Sequence, residues 1–204
     1  MKNISIPILA FICLLASCKG NEPNPLYVYE QNPHYSSGYA QYFGAYYGGE
    51  NGNLNNVISL SLFSDSLRVT NEGGLVGYGQ YLFLEDIFIA PPLTTLPSGT
   101  YTLNDTGLER TVTPGINDTI DDEVYTLGAT ITYYEPDAAK STLKRITEGT
   151  FKLTRVGINY TIVCDFKTSD KKELKGSFTS QLPYFDESLT VTRSLGKRLE
   201  YLHR

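Results

Sequence analysis

Apolar side chains in this sequence recur at every second position, and that spacing limits the fold more than any other feature. Ile58, Leu60 and Leu62 alternate with Ser59 and Ser61. Tyr125, Leu127, Ala129, Ile131 and Tyr133 alternate with Thr126, Gly128, Thr130 and Thr132, and read as one strand. A period of two turns alternate side chains to one face of a strand, whereas a helix needs a period of about 3.6. Residues 81–84 and 87–89 are apolar on both faces and are interrupted by Glu85-Asp86, the pattern of a central strand with a bulge. Further strands are expected at 99–103, 150–155, 159–167 and 174–181, with hairpin-sized turns at 156–158 and 169–172. No segment carries a long amphipathic helical stripe; residues 194–203 suit a helical turn or two at most. Roughly ten short strands predict an all-β chain, either an antiparallel β-sandwich or a lipocalin-like barrel.

Composition agrees with this. There are 16 Tyr and 9 Phe but no Trp, and the 18 Gly and 10 Pro supply turns. A short echo links Gly99-Thr100-Tyr101-Thr102-Leu103 to Gly149-Thr150-Phe151-Lys152-Leu153. Five positions are too few for two related halves, so shared hairpin chemistry is the favoured explanation.

The N-terminus carries a different signal. Met1-Lys2-Asn3 supplies one positive charge, residues 4–15 are almost wholly apolar, and Leu15-Ala16-Ser17-Cys18 follows. A basic start, a short apolar core and small residues before a cut site make a secretory signal over residues 1–17. The apolar run is shorter than the roughly 20 residues a membrane-spanning helix needs. The tetrapeptide Leu15-Ala16-Ser17-Cys18 resembles the lipobox of bacterial lipoproteins. That resemblance implies a diacylglycerol on the Cys18 thiol, cleavage before it, and a further acyl chain such as palmitate on the freed amine. Residues 18–26, with Pro23 and Pro25 among polar neighbours, read as a tether, and residues 27–204 as a single all-β domain. Cys13 leaves with the signal and Cys18 carries lipid, so Cys164 alone remains and no disulfide is expected within the domain. Cys164 shares its alternating face with Tyr160, Ile162 and Phe166, the setting of a buried, inert thiol.

A wider resemblance rests on Leu96-Pro97-Ser98-Gly99-Thr100-Tyr101-Thr102-Leu103, Glu148-Gly149-Thr150-Phe151-Lys152-Leu153, Tyr160-Thr161-Ile162-Val163, Leu174-Lys175-Gly176-Ser177-Phe178-Thr179-Ser180 and Pro183-Tyr184-Phe185-Asp186-Glu187-Ser188. With the lipobox, these stretches resemble small uncharacterised lipoproteins of Bacteroidetes. The resemblance implies an all-β domain in the cell envelope, held by lipid at the outer membrane, and it brings no catalytic residues. In that phylum, export to the surface goes with acids just after the lipidated Cys. Here Cys18-Lys19-Gly20-Asn21-Glu22 has one acid, which leaves the inner or outer leaflet open. The phylum also O-glycosylates Asp-Ser/Thr-apolar triplets, so Asp65-Ser66-Leu67 and Asp118-Thr119-Ile120 imply sugar on Ser66 and Thr119.

Little in the chain suggests catalysis. Beyond the signal there are only His34 and His203, and no Gly-x-Ser-x-Gly, His-Glu-x-x-His or Cys-x-x-Cys occurs. The Ser-x-x-Lys matches at 141–144, 169–172 and 194–197 are expected by chance. Glu85-Asp86 and Asp186-Glu187 are carboxylate pairs, but neighbours on a regular strand face opposite ways. Asn117-Asp118-Thr119-Ile120-Asp121-Asp122-Glu123 is acidic without the spacing of an EF-hand and reads as a solvated loop. Neither a metal nor a cofactor is expected. A net charge of −5 argues against a nucleic-acid partner.

The densest binding signal is residues 27–47, which hold Tyr35, Tyr39, Tyr42, Tyr46 and Tyr47 beside the amide-rich segment 50–56. Tyrosines offer a flat face and a polar tip, and suit sugar rings when exposed. Buried, the same residues line a core or cover a sheet edge. The expectation is a non-catalytic, lipid-anchored envelope binding module, with carbohydrate the favoured ligand and Tyr35, Tyr39, Tyr42, Tyr46 and Tyr47 its site. The alternative is a structural or accessory subunit of an outer-membrane protein complex, with a hydrolase third.

Overall fold

A computed structural model describes residues 29–48, 53–70, 74–120, 123–135 and 141–189. Among them every regular element is a strand. In chain order these are β1 (His34–Gly44), β2 (Asn56–Ser64), β3 (Arg68–Val69), β4 (Leu75–Val76), β5 (Gly79–Ile89), β6 (Gly99–Leu103), β7 (Thr111–Val112) and β8 (Ile116–Ile120). Next come β9 (Glu123–Leu127), β10 (Thr130–Tyr134), β11 (Thr142–Val156), β12 (Asn159–Thr168), β13 (Glu173–Leu174), β14 (Ser177–Gln181) and β15 (Tyr184–Asp186). The chain is all-β, as its alternation predicts.

The main sheet has 11 strands and its pairing closes on itself. β1 pairs β2, β2 pairs β5, β5 pairs β10, β10 pairs β11, β11 pairs β12, β12 pairs β14, and β14 returns to β1. Between β5 and β11, β10 fills the gap at one end, and β6 with β7 fills it at the other. A closed path leaves few free edges. The expected antiparallel order holds for most pairs, but the sheet is mixed: β6 runs parallel to β7, and at the seam β1 runs parallel to both β14 and β15. Here Leu182-Pro183 lets one segment leave β1 at Tyr35 and rejoin it at Ala40.

Inside the closed sheet the alternation becomes a core. Ile58, Leu60 and Leu62 of β2 meet Leu82, Leu84 and Ile87 of β5, and Tyr160, Ile162, Cys164 and Phe166 of β12 face them. Each fully buried side chain of this kind contributes about 1.5–3 kcal/mol. Cys164 is buried and unbridged, and burial raises its thiol pKa, which keeps it protonated and inert. The echoed segments turn out to be partners: Tyr101 lies opposite Phe151, and their rings stack at 4.6 Å with planes 3° apart. Their shared pattern is the pattern of two strands filling one layer.

The single strand expected across 125–133 is two. β9 ends at Leu127, Gly128 takes φ +78°, and β10 starts at Thr130. A Cβ at Gly128 would collide with the Pro114 carbonyl, so the chain passes through a close backbone crossing there. β9 then pairs β8 in a separate hairpin while β10 joins the main sheet. Alternation continues across the break, which is why spacing alone hides it.

Candidate functional site

β2 is buried along its whole length, although only Ile58, Leu60 and Leu62 of it belong to the inner core. Its other face carries Val57, Ser59, Ser61 and Phe63, so something covers the outside of the wall there. The cover is aromatic. Phe63 stacks on Tyr81 at 4.9 Å, with Tyr39 on one side and Phe83 on the other, and Phe185 meets the far edge of Tyr39. The ring faces in this row are spent on one another. The Tyr81 hydroxyl lies 3.2 Å from the Ser61 hydroxyl, and burial pushes its pKa up to about 12.

A second aromatic group stands at the end of the wall where β1 finishes. Gly44, at φ +65°, starts a turn that folds Tyr46 and Tyr47 back over Val57 and Phe88. Tyr46 meets both Phe43 and Tyr47 edge-on, and Tyr47 lies tilted against Phe88 at 5.8 Å. Between this group and the row lies a small open recess of about 60 Å³. Phe43, Tyr46, Phe83 and Val57 line it on the apolar side, and Gln41, Ser59, Glu85 and Asp86 on the polar side.

The bulge builds this recess. Ile58 pairs Ile87 and Leu60 pairs Leu84, so Glu85 and Asp86 together stand opposite Ser59. The interruption at Glu85-Asp86 is thus the bulge its sequence predicts. The extra residue breaks the pleat, and both Glu85 and Asp86 are among the residues that line the recess. Each is held. The Tyr47 hydroxyl donates to Asp86 Oδ2 at 2.7 Å, and the Gly128 N–H donates to Glu85 Oε2 at 2.7 Å. Asp86 is 3 % exposed, and burial pushes its pKa up to about 6 against the opposing pull of the Tyr47 hydroxyl. Ser59 donates to Gln41 Oε1 at 3.3 Å, so the amide is oriented as well.

The five tyrosines of the expected platform are separated. Tyr35 belongs to the inner core and Tyr42 packs against it. Tyr39 is in the outer row, Tyr46 lines the recess, and Tyr47 lies behind it on Asp86. They do not form one flat surface. The alternation of β1, which turns residues 40 and 42 inward and 39, 41 and 43 outward, accounts for the split. Composition could not show the recess carboxylates; the break in alternation at residues 85–86 was their only sequence signal.

Other expected residues fall elsewhere. Cys18 lies outside the described residues, as do residues 194–203. Ser66 is exposed in a turn and exchanges hydrogen bonds with the Tyr78 backbone. Thr119 is exposed on the β8–β9 hairpin. His34 is exposed, 3.3 Å from the Ser177 hydroxyl. Among the described residues no cluster of His, Cys, Asp or Glu is arranged to hold a metal. No helix among them is long and apolar enough to cross a membrane. Comparison with family models, with curated proteins and with solved structures finds no match.

Proposed function

We propose that this chain is a lipid-anchored cell-envelope binding module that takes a carbohydrate at the outer-wall recess without transforming it. One observation carries the reading: Phe43, Tyr46 and Phe83 line a single recess together with Gln41, Glu85 and Asp86, while the inner face of the sheet is lined by the buried apolar core. Sugar binding asks for that mixture of apolar ring contact and fixed polar groups. A recess this small takes one substituent of a sugar, with the ring and the rest of a glycan lying outside it.

The same geometry argues for binding over hydrolysis. Glycoside cleavage needs two carboxyls flanking the scissile bond. Glu85 and Asp86 are neighbours on one strand, and each is committed to a structural donor.

Placement of the anchor supports the reading. The described chain begins at Tyr29, whose hydroxyl donates to the Glu173 carbonyl beside β13, near where β1 starts. The recess involves Gln41 and Phe43, toward the other end of β1. A tether from Cys18 attached at the Tyr29 end would turn the recess away from the membrane. Residues 19–28 reach at most about 35 Å when extended. The lipid itself has a direct test: Cys18→Ala should leave unprocessed precursor in cells, and normal cleavage of that variant would contradict the anchor.

Binding is tested by titrating a panel of saccharides into the mature protein and following tyrosine fluorescence, the natural probe in a chain without Trp. A saturable change that Tyr46→Ala and Phe83→Ala weaken is the expected result. Flat titrations across the panel would overturn the reading. The accessory-subunit alternative keeps its own support. Val156 and Ile158 of the β11–β12 hairpin are 74 % and 63 % exposed, and Leu189, three residues after β15, is 92 % exposed. A partner co-purifying from native membranes would favour it.

A further inference from the structure

Three exposed leucines gather at one corner of the closed sheet, at the end where β2 starts and β5 finishes. Leu54 is 68 % exposed, Leu108 63 % and Leu93 38 %. Side-chain amides tie their loops together. Asn53 and Asn55 both donate to the Gly107 carbonyl, at 3.2 and 2.9 Å, and Asn56 donates to the Leu93 carbonyl at 2.9 Å. The Asn55 N–H donates to the Asn53 side chain at 3.0 Å. Gly107, at φ +66°, has no room for a Cβ, because the Asn53 amide nitrogen fills that space. The loops are thus fixed to one another while their leucines stay in water. Apolar groups held out by a preorganised frame mark a contact surface, since little ordering is left to be done on docking.

The chain itself carries a fitting occupant. The Glu187 N–H donates to the Tyr42 carbonyl, and Ser188 lies beside Gly44. Gly44 is the partner of Val57, the residue next to Asn56, so the described chain ends at Leu189 close to the leucine corner. Fifteen residues follow, 190–204. Their reach is up to about 50 Å when extended, ample for the corner. Arg193, Lys197, Arg198 and Arg204 outnumber Glu200 in that segment, and Leu195, Leu199 and Leu202 recur at the spacing of one helical face. The loops at the corner and the strand leading to the exit have the opposite charge. They carry Asp105, Glu109, Asp186 and Glu187 against Arg110, which itself pairs with Glu109 at 3.6 Å.

We propose that residues 190–204 dock their leucines on the corner formed by Leu54, Leu93 and Leu108, within the same chain. The proposal is independent of the lipid and carbohydrate readings. Apolar burial supplies the attraction, and the acids around the corner favour a basic segment and set its orientation. A second copy of the corner is a poorer occupant, because the same acids would then face one another.

The test is photo-crosslinking in the full chain. Leu195→benzoylphenylalanine keeps an apolar side chain and makes it reactive to light. The variant is irradiated in native membranes and again after purification at low concentration, and the joined peptides are mapped by mass spectrometry. The expected product has the mass of one chain and links residue 195 to peptides holding Leu54, Leu93 or Leu108. Adding Leu54→Ser together with Leu108→Ser should cut its yield several-fold. Both side chains are exposed, so the fold should tolerate the change. Val163→Ser, on the exposed outer face of β12, should leave the yield unchanged. A product of doubled mass, a link to a different protein, a link to another part of this chain, or no product at all would each overturn the proposal. So would a yield that the paired serine substitutions leave intact.

Discussion

Asp86 concentrates the physical conflict in this protein. It is a carboxylate buried in a sheet wall, with the Tyr47 hydroxyl donating to it and its pKa pushed up by burial to about 6 from 3.8. A raised carboxylate pKa means that the folded state binds the proton more tightly than the unfolded state. Between those two values the fold gains stability as pH falls, and above about 6 it carries the full cost of the buried charge. That cost is of order 3 kcal/mol. Asp86→Asn keeps an acceptor for Tyr47 and removes the charge. The variant should melt at a higher temperature than the parent at pH 7, with the gap closing as pH approaches 4. Asp170 and Asp186, whose pKa values are lowered by neighbouring hydroxyls, push stability the opposite way in acid. They are common to both proteins and cancel in the difference. Equal melting curves at pH 7 would show that Asp86 is not held charged in a buried site.

At the level of elements, the bulge in β5 and the break after β9 are linked. Gly128 separates β9 from β10, and its N–H holds Glu85 in the recess. Gly128→Ala forces a side chain into the left-handed region and against the Pro114 carbonyl. It should cost about 1–3 kcal/mol and weaken saccharide binding together with stability. Urea unfolding gives the first effect, and an unchanged midpoint would contradict the tight crossing.

These two features also mark where the sequence was legible. β2, β6 and β12 follow from alternation because each has one face on the core and no irregularity inside it. The bulge was visible as two acids breaking an apolar run. The division of 125–133 was not, because Gly128 interrupts the backbone without interrupting the period. The recess was hidden for a different reason. Its lining comes from β1, β2, β5 and the turn after β1, and nothing local in any of them says that Gln41, Ser59 and Glu85 will meet. Residues 35–47 stand out by tyrosine density, but density does not carry face: the pleat sends Tyr42 to one side and Tyr39 to the other, and the irregularity between Tyr35 and Ser37 turns Tyr35 inward as well.

For the whole molecule, a closed sheet whose inner face is lined by buried apolar side chains offers a polar ligand its outside or its ends. The outer wall of β1, β2 and β5 is covered by its own aromatic row, and the recess opens where that row stops. An anchor at Cys18 and entry of the chain at Tyr29 would hold the opposite end toward the membrane. The most direct test of this account is an NMR titration of the isotopically labelled mature protein with the saccharides of the panel. The account predicts that shift changes cluster on Gln41, Phe43, Tyr46, Phe83 and Glu85, with the core resonances of β12 unmoved. Changes centred instead on the exposed apolar segments around Val156 and Leu189, or none at saturating saccharide, would contradict it.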